Sequence, residues 1–209
     1  MTLQWGYKRA FLRCALLFVA GTALQLAFGD LQNEFLRYPW GLIIAVNYLY
    51  LLVLIHFQKG RWKWLGQLAD HYACSSSLGA MVLITIIFGL TRQDPATEGL
   101  IGALGFSRMT SSWAFNILLL YFTTTTGLAV LEDLSHIRQR RVAAVLSHLA
   151  VFVILVAGIF GSGDKLRVTV TTQEGTSTHW GVSRDGKQVE LPFVLTLEEF
   201  SMEEYAPKL

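Results

Sequence analysis

Five apolar runs in 209 residues constrain the fold of this chain more than any other feature. They cover residues 10–28, 40–57, 73–90, 112–131 and 143–161. A helix needs about 20 apolar residues (range ~17–25) to cross the hydrocarbon core of a bilayer, and the only spanning structures that satisfy every backbone group are helices and closed barrels. The runs predict five transmembrane helices. Composition agrees: 53% of residues are hydrophobic and 15% charged, with a mean hydropathy of +0.43, whereas a soluble domain carries about 25% charged residues. Gln25, Phe28 and Asp30 do not make a small-x-small cleavage site after the first run, so it is expected to remain as a span.

The expected fold is an all-α membrane helical bundle of about five transmembrane helices, over 1–163, with a small C-terminal β segment over 164–209. The basic residues set the orientation. Lys8, Arg9 and Arg13, then Lys59, Arg61 and Lys63, then Arg138, Arg140 and Arg141 fall on one side. Arg37, Arg92 and Arg108 fall on the other. Nine against three puts the N-terminus in the cytoplasm, and an odd number of spans puts the C-terminal tail outside, which in a bacterium means the periplasm. Trp40, Trp113, Trp62 and Trp64 mark the interfaces, as amphipathic rings do. The loop at 91–111 is the longest between the spans, and its "LIGALGF" is expected to lie on the membrane surface.

After Gly163 the pattern changes. "KLRVTVTT" alternates, with Leu166, Val168 and Val170 on one face, and reads as a half-buried strand. "HWGVSRDGKQVELPFVLTL" reads as a hairpin turning at Asp185-Gly186, with Leu191, Phe193, Leu195 and Leu197 on one face of its second arm. So short a piece makes a thin core, and it is expected to need a partner or more chain.

The net charge is +2 and no basic block or nucleic-acid motif accompanies it, so nucleic acid is not an expected partner. Cys14 and Cys74 form no CxxC pair and read as small buried residues. Thr123 to Thr126, Gln25 and Asn47 are polar within spans. The threonines are expected to bond back to their own helix or across an interface, and Gln25 and Asn47 to join helices. No acid sits centrally in a span, which argues against a proton-driven transporter.

His148 is the residue that most calls for a function. It lies six residues into the fifth run, roughly 9 Å from the cytoplasmic face at ~1.5 Å per residue. A neutral imidazole carries one donor and one acceptor, and both want partners in hydrocarbon. One reading is a histidine packed against a hydroxyl, such as Ser147 or Thr123 to Thr126. The other is an axial ligand to haem iron. His56 is the candidate second ligand within the chain. His71, His136 and His179 read as solvated.

The run "LSHLAVFVILVAGIFGSGD", with "LTRQDP…ALGFSRMTSSWAFNILLLYFTTTTGLAVLEDL" and "VELPFVLTLEEFSMEEYAPKL", resembles the ResB (CcsB) family of cytochrome c biogenesis proteins in its Bacteroidota-like form. The resemblance covers most of 85–209, including Gly105, Met109, Trp113 and Gly127. It implies a subunit of the System II machinery, which carries haem across the membrane and presents it to apocytochrome c. Of the family's functional residues it assigns only His148, as a haem ligand, with no catalytic residue. It also implies a CcsA-like partner, because the tryptophan-rich WWD motif is absent here. Relatives continue past the position of Leu209, which implies a truncated or split member. Two other readings stay open: a haem-b membrane anchor of a redox complex, and a non-haem membrane scaffold or assembly protein.

Overall fold

The computed structural model describes residues 6–94, 97, 99–138, 142–183 and 186–201. It divides into two compact units, Met1–Asp164 and Lys165–Leu209, one residue from the boundary expected from composition. Among the described residues, five helices of the first unit are long and apolar enough to cross a membrane. They are α1 (Tyr7–Phe28), α2 (Trp40–Gln58), α4 (His71–Leu90), α6 (Trp113–Ser135) and α7 (Val142–Phe160). Two short helices, α3 (Lys63–Leu68) and α5 (Gly99–Ala103), lie in the connections, and α5 exposes Leu100 and Ile101.

The ends are set locally. Gly29 stops α1 at a φ of +72°, a left-handed conformation that costs a residue without Cβ nothing, and its N–H closes onto Gln25 O at 2.9 Å. Pro39 precedes α2, where a missing N–H costs no helical bond. The largest departure from the expected spans is in α6. Its apolar run ends at 131, yet the helix continues through Glu132, Asp133, Leu134 and Ser135.

The centre of the bundle is α6. Over its most apolar stretch 56% of residues are buried, against 6% for α7. It packs against α1, α4, α7 and α2. Cys14, Met81, Ile84, Phe88, Leu118 and Tyr121 form the apolar core between α1, α4 and α6. Small residues let the backbones approach, as is usual where helices associate in lipid. A Cβ built on Gly21 of α1 would stand 2.5 Å from Ala114 Cα of α6. On Gly127 of α6 it would meet the Phe152 ring of α7 at 2.6 Å and Leu52 of α2 at 2.8 Å.

Three of the four threonines, Thr123 to Thr125, behave as the sequence predicts, whereas Thr126 Oγ1 is buried with no hydrogen bond among the described residues. Thr123 and Thr124 donate to Leu119 O and Leu120 O at 2.8 and 2.7 Å. Thr124 also meets Tyr48 of α2 at 3.1 Å, and Thr125 meets Ser77 of α4 at 2.9 Å. Gln25 does join helices: it accepts the Trp113 N–H at 3.1 Å and donates to Asp30 at 2.7 Å, and Asp30 pairs with Arg108 at 2.6 Å. Asn47 differs. Its amide turns back onto Ile43 O at 2.8 Å on an exposed face of α2.

The second unit is an antiparallel sheet in the order β1-β2-β3, with β1 at Val168–Thr169, β2 at Ser177–Ser183 and β3 at Gln188–Thr196. The hairpin is as expected. Asp185 lies outside the described residues, and Gly186 takes a φ of +75°. The first strand is shorter than its alternation suggests. Only Val168 and Thr169 pair, with Ser183 and Val182, and on its other side β2 pairs β3 with a bulge at Thr178/Trp180. Pro192 sits in β3, an edge strand, the place in a sheet where a missing N–H is tolerated.

Candidate functional site

Alternation of the spans brings the ends of α2 and α6 together with the starts of α4 and α7. Two consecutive acids close α6 there and face different helices. Successive residues lie about 100° apart around a helix, at 3.6 per turn. Glu132 turns to α2, where its carboxylate pairs with the Lys59 ammonium. His56 Nδ1 stands 3.9 Å from the same carboxylate oxygen, and His136 Nδ1 lies 3.6 Å from the other oxygen. His56 Nε2 and Ser135 Oγ are 3.2 Å apart. The one Ser135 proton goes to Leu131 O at 2.7 Å, so the imidazole is the donor in that contact.

Asp133 turns to α7. Its Oδ2 lies 2.7 Å from His148 Nδ1, a short charge-assisted bond that the ring N–H donates. The two partners differ in burial: the Asp133 side chain is 12% exposed and the His148 side chain 52%. The ring is therefore tied to α6 by one nitrogen on the perimeter of the bundle, and no described residue bonds Nε2.

These contacts correct one expectation. Among the described residues, none of the hydroxyls offered as partners for His148, Ser147 and Thr123 to Thr126, bonds it. Ser147 donates to its own helix at Ala143 O, 2.9 Å away, and Thr123 to Thr125 make the bonds given above. The partner is a carboxylate that the apolar run did not include. The signal for it was present: Val130, Leu131 and Leu134 carry the apolar helical pattern past both acids.

The two candidate ligands are not brought onto one partner. His56 attends to Glu132 and Ser135, His148 to Asp133. Among the described residues, no cluster of three or more His, Cys, Asp or Glu side chains could hold a bare metal ion. Haem makes a smaller demand, because the porphyrin supplies four donors and the protein only the axial ones. His148 fits one such position. His71 is exposed beside Asp70, and His179 is exposed in β2 against the Trp180 ring. Neither Cys14 nor Cys74 is in a disulfide, and Cys14 is buried.

Fold and site together define a multi-pass α-helical membrane protein with a small β unit and a carboxylate-bound histidine in its least buried helix. No family model, curated protein or solved structure matches the chain.

Proposed function

We propose that the chain is a membrane subunit of the System II cytochrome c biogenesis machinery, holding haem as cargo through His148. It would work with a CcsA-like WWD-domain partner and serve apocytochrome c on the periplasmic side of a bacterial inner membrane. The observation that carries this reading is the state of His148: a half-exposed imidazole within a span, bonded among the described residues through Nδ1 alone. A histidine kept only for packing would be drawn inward by both nitrogens, since each unpaired polar group in hydrocarbon is costly. The resemblance of 85–209 to the ResB family supports the same residue. The nine-to-three distribution of basic residues supports entry from the cytoplasmic side, to which His148 would be the nearer.

The chain would contribute position rather than bond formation, because the cysteines that become thioethers belong to the apocytochrome. A haem-b anchor usually presents two histidines at matching depth, and His56 is committed to Glu132 and Ser135.

The test is a visible spectrum of the detergent-purified protein, with and without the CcsA-like partner, for wild type and His148→Ala. The expected result is a Soret band in wild type that is lost or shifted in the variant and partly restored by imidazole. No haem in wild type with the partner present would refute the reading and favour a scaffold.

A further inference from the structure

The site contains a second residue that the haem reading does not itself require. Asp133 is an acid in the last turn of α6, where the helix dipole is negative and disfavours a carboxylate. It is also nearly buried. A position kept for packing alone would carry neither cost. Glu132 shares the unfavourable helix end and has an evident reason to be there, the Lys59 ammonium. On α7 the Asp133 carboxylate meets the ring of His148, at 2.7 Å.

We infer that Asp133 is the positioning residue of this site: it accepts the Nδ1–H of His148, fixes the ring in that tautomer, and leaves the Nε2 lone pair as the donor offered at the bundle perimeter. The inference rests on the haem reading for its purpose, but its geometry stands apart from it. A neutral imidazole has two tautomers, and only the one protonated at Nδ1 has a lone pair at Nε2. A carboxylate can accept but not donate, so it selects that tautomer where a hydroxyl would permit either. The same bond orients the ring, as carboxylate partners do for metal-bound histidines. The span helps. α7 is held mainly by its packing on α6, so the side chain that fixes the ring belongs to the helix against which α7 is seated.

Two measurements on the full chain test this. The first needs no haem. Isotope-labelled imidazole nitrogens report the tautomer of each ring by NMR, with His148→Gln assigning the signal. Wild type should show His148 protonated at Nδ1, Asp133→Leu should lose that state, and Asp133→Glu should recover part of it. A wild-type ring protonated at Nε2, or a ring unchanged in Asp133→Leu, would overturn the inference. The second is haem titration. Asp133→Leu should bind about 10- to 100-fold more weakly than wild type, with Asp133→Glu between them, and equal affinity of the three would also overturn it. If wild type binds no haem, the haem reading fails, and the tautomer measurement decides the role of Asp133 by itself.

Discussion

Replacing Gly21 by alanine tests the packing that holds α1 to α6. The added Cβ would stand 2.5 Å from Ala114 Cα and 2.8 Å from Ala114 N, so it meets backbone rather than a side chain that can swing away. Overpacking of this kind costs about 1–3 kcal/mol. Gln25, one turn along the same helix, would lose its bond from the Trp113 N–H, a further ~0.5–1.5 kcal/mol. Gly158→Ala is the control: nothing lies within 4 Å of a Cβ there, and both changes gain the same helix propensity. The difference between the variants isolates the close approach and its bond at about 1.5–4.5 kcal/mol, or a roughly 10- to 2,000-fold shift in the unfolding equilibrium. Reversible denaturation of the two variants in one detergent measures it. If they unfold alike, the close approach of α1 and α6 is wrong.

Gly105→Ala places a Cβ at a φ of +76° and 2.9 Å from Gln25 Cδ, so it should cost about 1–2 kcal/mol or more and alter Trp113 fluorescence, because Trp113 bonds Gln25 and Gly29. Lys59→Met should destabilise the protein more than Lys59→Met combined with Glu132→Gln, with a coupling of ~0.5–1 kcal/mol in a double-mutant cycle for this part-exposed pair. Ser77→Ala removes the bond between α4 and α6 and should cost only about 0.6 kcal/mol, the usual worth of such a bond in lipid, so a small fall in thermal midpoint is expected.

The spans were legible because a bilayer demands length and apolarity together, and four of the five helices lie within three residues of their runs at each end. The exception shows what hydropathy misses. Glu132 and Asp133 read as loop because charge in a window reads as water. Their helix continues because Lys59 and His148, distant in sequence, meet those charges. His148 could be singled out from sequence, as a lone ionisable group in a span, and the apolar pattern carries α6 past Asp133, but choosing between a hydroxyl and that carboxylate required knowing which face of α6 meets α7. In the β unit the Gly186 turn was legible, whereas alternation alone did not show that only Val168 and Thr169 of the first arm would pair.

The central place of α6 has a consequence for how the protein is made. Spans enter a membrane in order of synthesis, and α1, α2 and α4 all precede the helix that buries the most. At ~5–20 residues per second, the α1–α4 pair can meet a few seconds before α6 is complete. Ser77 then waits for Thr125 of α6, already bonded to Cys74 O, while Ser76 already has Ala73 O and Cys14 of α1 beside it. α7 follows α6 and is seated on it, so the His148–Asp133 bond forms only after the core around α6. A ribosome stalled before α7 emerges would leave a bundle with its core assembled and Asp133 still waiting for its imidazole.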